Sequence, residues 1–359
     1  MQGMKTITLG TTGITTPQNA FGALPVQRVN METAVEILHR AYDGGMTFFD
    51  TARAYSDSEE KLGQAFGKGG FDTPASRALN HRTYDREKIF IATKSTAETP
   101  EKLKADLETS LHNLKTDYID IYQLHCVKQC YRPGDGTGLY EVLQEAKAQG
   151  KIRHIGITAR KIGIAEEIAE SGLYETLQFP FSYLATDRDI ALVEKCKKNN
   201  VGFIAMKGLS GGLLTNARAC MAFMLQYDVL PIWGIQKMSE LEQWLDFFRE
   251  QPELTPDLEA IIKKDRDELL GEFCRGCGYC SPCSVGITIN QCARMSQMIR
   301  RAPSEAWLTP HWQEEMMKIE KCVDCGACLK RCPYELNIPT LLRKNLADYK
   351  DILSRKTKV

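Results

Sequence analysis

IFIATKSTAETPEKLKADLETSLHNLKTDYIDIYQLH, residues 89–125, holds one complete unit of the fold. Ile89 to Lys94 is a short run of β-branched and aromatic residues suited to a buried strand, and Ile119 to His125 is another. Between them, Thr99 followed by Pro100 reads as an N-cap with proline at the first helical position, opening a helix over Pro100 to Leu114. Two strands separated by a helix imply parallel pairing through a crossover.

The same rhythm extends in both directions. Strands are expected around Phe21 and over Met46 to Asp50, Ile89 to Lys94, Ile119 to His125, His154 to Ile157, Thr176 to Phe181, Gly202 to Met206 and Leu230 to Ile235. Helices are expected over Met31 to Asp43, Pro100 to Leu114, Gly138 to Gln149, Asp187 to Asn199 and Glu240 to Glu250, the last opened by a capping box of Ser239 and Glu242. Eight strand–helix units in about 250 residues is the size of a (β/α)8 TIM barrel. A doubly wound sheet would carry a Gly-rich dinucleotide turn, and none is visible. A hairpin from Thr6 to Leu9, turning at Thr12-Gly13, is expected to plug the barrel bottom. The expected organisation is a barrel over residues 1–252, a polar connecting helix over 253–270 and a small cysteine-bearing domain over 271–359.

Composition narrows the function. The 359 residues are 43% hydrophobic and 26% charged, with 27 Gly and 14 Pro, as in a globular protein. Lys and Arg balance Asp and Glu at 46 each, leaving no field to gather nucleic acid or an anionic membrane. No apolar run approaches the ~18 residues of a membrane span, and the opening MQGMKTITLGTTG has no apolar signal core. A cytoplasmic protein without nucleic-acid or membrane partners is expected.

In such a barrel, chemistry collects where strands end at their C-terminal side. Asp50 closes MTFFD, Lys94 closes KIFIATK, His125 closes IDIYQLH, and Tyr55 follows Asp50 in the adjoining loop. A lysine held by an aspartate would favour the phenolate of Tyr55 and make it a usable acid near neutral pH. A carbonyl beside Tyr55 and a neutral His125 would have its oxygen polarised by two donors, leaving its carbon open to hydride from a reduced nicotinamide. His39, His81, His112, His154 and His311 lack comparable neighbours and read as surface or packing residues.

These residues lie in segments that resemble the aldo-keto reductases: AYDGGMTFFDTARAYSDSEEKLGQAF, IATKS, SLHNLKTDYIDIYQLH and AKAQGKIRHIGIT, in order between residue 4 and about residue 250. The resemblance implies that Asp50, Tyr55, Lys94 and His125 are the catalytic tetrad, with Tyr55 as general acid, and that NADP or NAD lies at the mouth. It places cofactor contacts at Thr158, Gln178, Met206, Lys207, Gly208, Leu209, Gly211 and Gly234. Three departures accompany it. Ala159 stands where the family's carboxamide-binding Asn is usual, and Met206 stands where an aromatic commonly stacks on the nicotinamide. WGIQKMSELEQW lacks the residues by which many members hold a 2′-phosphate, so the choice between NADPH and NADH stays open. By residue type alone, the glycines and Lys207 of the Lys207 to Gly212 loop suit a pyrophosphate.

Eight of the 13 cysteines form two groups near the C-terminus. Cys322, Cys325, Cys328 and Cys332-Pro333 follow C-x2-C-x2-C-x3-C-P, the bacterial ferredoxin run that wraps a [4Fe–4S] cluster. Zinc prefers two separated pairs and is disfavoured. Cys274, Cys277, Cys280 and Cys283 resemble a degenerate second half, with Ser284 in place of the proline. In two-cluster ferredoxins the fourth cysteine of each run serves the other cluster, which would pair Cys283 with the 322 group and Cys332 with the 274 group; Cys292 competes with Cys283. Two clusters are expected, with one cluster plus a structural or labile second group as the alternative. Residues 271–359 carry 14 Lys and Arg against 9 Asp and Glu, an excess suited to offsetting anionic clusters. Met316-Met317, Trp307 and Trp312 read as packing.

The chain is thus similar to aldo-keto reductases that bear a C-terminal ferredoxin-like module. The expected function is hydride transfer between NAD(P)H and a small aldehyde, ketone or alcohol, with the clusters linking to an electron carrier. No flavin motif is visible, but a barrel mouth holds flavin without one, and flavin stays among the expected cofactors. The alternative is an electron-transfer or redox-sensing protein whose barrel binds a nicotinamide or flavin without turning over a free carbonyl.

Overall fold

The computed structural model describes residues 4–68, 84–269, 273–276, 278–301, 304–332 and 334–356. Cys277, His81, Pro333 and residues 69–83 of the loop between Gly67 and Tyr84 lie outside the described residues. The chain divides into two compact units. The first comprises residues 1–181, 185–208 and 221–253; the second comprises 182–184, 209–220 and 254–359.

The first unit opens with an antiparallel hairpin, β1 (Thr6–Thr8) and β2 (Thr15–Pro17). The expected turn closes it: Leu9 N donates to Ile14 O, Thr12 Oγ1 donates to Leu9 O, and Gly13 takes the left-handed backbone that glycine adopts without a Cβ clash. Eight parallel strands follow: β3 (Ala20–Gly22), β4 (Phe48–Asp50), β5 (Phe90–Ser95), β6 (Ile119–Leu124), β7 (Ile152–Thr158), β8 (Thr176–Pro180), β9 (Gly202–Met206) and β10 (Leu230–Gly234). They pair in sequence order, and β10 closes on β3. The strands are apolar almost throughout because both their faces are covered, one by helices and the other by the barrel interior. Leu9 and Ile14 of the hairpin pack with Phe48, Ala92, Ile121, Ile204, Leu230 and Ile232, so the hairpin does plug the barrel.

The expected helices form at Met31–Asp43, Pro100–Leu114, Leu139–Ala148, Asp187–Lys198 and Met238–Arg249. Helices Ser58–Phe66, Ile162–Glu170 and Ala217–Met224 add to them. Thr99 caps as expected, its hydroxyl accepting from Lys102 N at 3.3 Å. The capping box of Ser239 and Glu242 does not form. The helix starts two residues earlier, Glu240 accepts from the backbone N–H of Gln236 and Lys237 at 2.9 and 3.2 Å, and Glu242 accepts from Arg40 Nε and Nη2. A bidentate ion pair outcompetes a local cap.

A buried carboxylate stabilises this unit locally. Glu59, on Ser58–Phe66, accepts from Thr93 Oγ1 and Ser110 Oγ at 2.7 Å each and from Arg53 Nη1 at 2.7 Å. Thr51 Oγ1 lies 2.8 Å from Ser58 Oγ, which donates to Ala23 O. These bonds fasten both ends of the segment from Thr51 to Glu59, which carries Tyr55. His154, read from sequence as a surface or packing residue, pairs through Nδ1 with Glu175 at 2.7 Å.

In the second unit the polar helix expected as a connector forms over Pro256–Leu269. The core gathers Ile287, Ile289, Cys292, Met295, Met316, Leu342 and Tyr349, with Trp307 and Trp312 packed against it. Their ring centroids lie 5.0 Å apart, and Met316 is fully buried, so these residues do pack. Among the described residues no helix is long and apolar enough to cross a membrane.

Candidate functional site

In the barrel, β4, β5 and β6 run side by side, and Asp50 at the end of β4, Lys94 one residue before the end of β5 and His125 just after β6 come together. Lys94 Nζ lies 2.7 Å from each Asp50 carboxylate oxygen and donates to Thr51 O at 2.7 Å. Both residues are almost wholly buried. Burial pushes the Asp50 carboxyl up and the Lys94 ammonium down, while their mutual attraction opposes both shifts. The Lys94 ammonium lies 5.2 Å from the centre of the Tyr55 ring, which meets His125 edge-on with centroids 5.9 Å apart. All four expected tetrad residues are therefore neighbours.

His125 begins the loop after β6 and is fixed by its backbone N–H to Ser95 O. Its Nδ1 is buried without a hydrogen-bond partner. Burial first, then the charges of Lys94 and Arg160, hold the imidazole well below the usual histidine range, so it is neutral at pH 7. A proton that the unfolded chain accepts near pH 6.5 is refused by the folded one, so stability present above that pH falls as the medium acidifies. His125→Gln will flatten this dependence. Urea midpoints at pH 7 and pH 5 should show the wild type losing up to about 2 kcal/mol more than the variant, and equal losses would refute a neutral His125.

Of the remaining barrel residues, Gln178 on β8 accepts from Gln123 Nε2 at 3.0 Å, and its own amide lies 3.5 Å from Asp50 Oδ2. Thr158, at the end of β7, accepts at 2.6 Å from the N–H of Cys126, the residue that follows His125. Met206 packs with the barrel-core cluster, and Gly234, exposed at the end of β10, pairs in register with Gly22. Gly208 is required by packing: a Cβ there would lie 2.5 Å from the Trp233 ring. Lys207, Ser210, Gly211 and Gly212 have left-handed φ, and the Gly212 N–H closes a turn on Leu209 O at 2.9 Å. Leu209 opens the stretch grouped with the second unit.

Sequence reading passed over Gln123 and Arg160. Gln123 was identifiable as a polar residue in a buried strand two positions before His125. Arg160 donates to Cys126 Sγ at 3.2 Å, a contact that no spacing rule foretells.

In the second unit, Cys283, Cys322, Cys325 and Cys328 line one hollow with Cys280, Val285, Pro339 and Leu342. Cys332 is absent from this lining and lies in the buried core with Cys274 and Cys280. Cys277 is outside the described residues. The Ala327 backbone N–H and the Ser284 hydroxyl hold the Cys325 thiol below its usual range, favouring the thiolate. Gly276 N donates to Cys274 Sγ at 3.4 Å. Cys292 is different: its thiol faces Glu315 O at 3.8 Å, and burial pushes its pKa up to about 12. No three His, Cys, Asp or Glu side chains among the described residues close on a single point as around one ion; a cubane instead takes thiolates spaced around a hollow.

A model of the aldo/keto reductase family matches residues 6–222, and one of a 4Fe-4S dicluster domain matches residues 273–337. The chain belongs to the aldo/keto reductase family. This aldo-keto reductase is 28% identical to aldo-keto reductase YhdN of Bacillus subtilis over 196 residues, 51% of this chain and about half (54%) of that protein. It is 26% identical to the NADH-specific methylglyoxal reductase of Escherichia coli over 273 residues, 67% of this chain and 80% of that one. Its fold matches the Bombyx mori aldo-keto reductase AKR2E4, solved in complex with NADP, with a TM-score of 0.55 and 18% identity over 74% of this chain and 94% of the other.

Proposed function

We propose that this aldo-keto reductase reduces a small aldehyde or ketone, or oxidises the corresponding alcohol, with NADH or NADPH, and carries two [4Fe–4S] clusters that exchange single electrons with a carrier protein. The observation that carries the reading is the meeting of Tyr55, His125 and the Lys94–Asp50 pair at the ends of three adjacent strands.

The nucleotide, when bound, supplies the hydride. The chain's residues do the rest. Tyr55 offers its phenolic proton to the carbonyl oxygen, and the ammonium of Lys94, held by Asp50, stabilises the phenolate left behind. Neutral His125 orients the same oxygen. Gln178 and Thr158 provide amide and hydroxyl groups for the nicotinamide carboxamide in place of the Asn replaced by Ala159, with Met206 and Gly234 beside it. Lys207, Gly208, Leu209 and Gly211 lie in the loop suited to the pyrophosphate. Methylglyoxal, named as the substrate of the Escherichia coli relative, is the first compound to try.

The cysteine pairing we favour crosses the two runs. Cys283 joins Cys322, Cys325 and Cys328 around the hollow; Cys332 joins Cys274, Cys277 and Cys280. Cys325 is exposed, and Val323 and Leu329 beside the run are two of the three large apolar side chains exposed among the described residues. An electron carrier would approach there. Hydride transfer moves two electrons and each cluster one, so direct exchange between the two ends needs a flavin or another splitter.

The test is made on anaerobically purified protein. We expect ~8 irons per chain, enough for two clusters, and oxidation of NADH or NADPH only when aldehyde is added. The cluster absorbance should resist either nucleotide but bleach with a one-electron reductant. About four irons would refute two clusters. Bleaching by nucleotide alone, without aldehyde turnover, would replace this reading with the electron-transfer alternative.

A further inference from the structure

Inside the barrel, two glutamine amides adjoin the Lys94–Asp50 pair. Gln123, on β6, is wholly buried, and its Nε2 donates to Gln178 Oε1 at 3.0 Å. Gln178, on β8, turns its own Nε2 to Asp50 Oδ2 at 3.5 Å. An ionised carboxylate only accepts, so Asp50 draws the nitrogen of the Gln178 amide and leaves its oxygen to Gln123. From Asp50 the contacts continue to the Lys94 ammonium at 2.7 Å, which lies 5.2 Å from the centre of the Tyr55 ring. Burial raises the Asp50 carboxyl; Lys94 opposes the rise most, and the amides of Gln178 and then Gln123 add to that opposition.

Stability alone does not account for Gln123. It satisfies the Gln178 oxygen, but its own Oε1 is buried without a hydrogen-bond partner among the described residues. One buried acceptor is paired at the expense of another, a cost that apolar side chains in the same place would not carry. The next strand nevertheless leaves room for it. Gln123 stands beside Gly156 of β7, and Gly156 beside Thr176 of β8. A Cβ on Gly156 would lie 2.8 Å from Gln123 Cγ and 2.5 Å from Thr176 Oγ1. What Gln123 contributes is the placement of its amide nitrogen.

We propose that Gln123 is a positioning residue for the proton-donating site. It holds the Gln178 amide, that amide holds Asp50, and Asp50 holds the Lys94 ammonium where it stabilises the phenolate that Tyr55 leaves behind. The inference rests on the proposed function for the role of Tyr55, and it adds to the reduction a residue outside the tetrad.

The test compares wild type with Gln123→Met, Gln178→Met and the double variant, with iron content checked in each. Gly156→Ala keeps the Gln123 amide but displaces it, and it serves if Gln123→Met does not fold. Kinetics with methylglyoxal, or with the fastest of a panel of small aldehydes and ketones, give kcat and KM; urea unfolding gives the midpoint. We expect Gln123→Met to lower kcat ~10–10²-fold, the scale of a small misplacement in a reacting site, with KM little changed. Its urea midpoint should stay close to that of wild type, since one unpaired oxygen replaces another. Because Gln123 acts through Gln178, Gln123→Met should make no further difference in the Gln178→Met background, whereas independent effects multiply. A merely structural role would lower the midpoint and spare the kcat of the folded protein. If wild type turns over a carbonyl and Gln123→Met does so as fast, or if the two losses multiply, the positioning role is refuted while the proposed function stands. If wild type turns over no member of the panel with either nucleotide, the proposed function fails and this inference fails with it.

Discussion

Tyr55→Phe will lower kcat for aldehyde reduction by ~10²–10⁴-fold, the usual contribution of a positioned general acid, while iron content and cluster absorbance stay unchanged. Phenylalanine keeps the ring that lies 5.2 Å from the Lys94 ammonium and meets His125 edge-on, so the site's packing is retained and only the proton donor is lost. KM should change far less than kcat, because the phenolic proton matters most as the carbonyl oxygen gains charge. Steady-state kinetics with methylglyoxal and either nucleotide will check it. Undiminished turnover would remove Tyr55 from the chemistry and with it the carrying observation of the proposed function.

The second large effect concerns folding. Glu59→Ala will destabilise the barrel unit by ~2–3 kcal/mol, the cost of leaving two buried hydroxyl donors without an acceptor. Thr93 and Ser110 would lose their acceptor inside the protein, and Arg53 would lose its counter-charge. Against a typical total of ~5–15 kcal/mol this is a large fraction. Glu59→Gln keeps an acceptor for the hydroxyls and should lose less. Urea unfolding followed by tryptophan fluorescence measures both, and a wild-type midpoint for Glu59→Ala would refute the role. Because Glu59 also fastens the segment that carries Tyr55, the alanine variant should lose activity even where it remains folded.

The strands and most helices were legible because each unit repeats a local signal. An apolar run followed by an amphipathic one needs no partner to be recognised, and Thr99-Pro100 marks its helix start within two residues. Strand ends were equally legible as places for polar residues, which is why Asp50, Lys94 and His125 stand out in the linear pattern. The cap at Ser239 failed for the opposite reason. Glu242 satisfies the spacing of a capping box, but Arg40, some two hundred positions earlier in the chain, claims its carboxylate. Glu59 was silent too, since a glutamate in SEEKLGQAF looks like any solvated helix residue until Thr93, Ser110 and Arg53 are brought to it.

By itself, the sequence determined the barrel, the ferredoxin-like run and the residue types of the tetrad, all of which rest on spacing within a few tens of residues. Tertiary structure alone decided that Lys94 and Asp50 form a buried pair and that burial beside Lys94 and Arg160 keeps His125 neutral. It also decided that Gln123 meets Gln178 and, through it, Asp50. The physical reason is common to all three: charge, burial and hydrogen bonding depend on which distant segments are neighbours, and a linear pattern carries that information only where a local repeat encodes the neighbour.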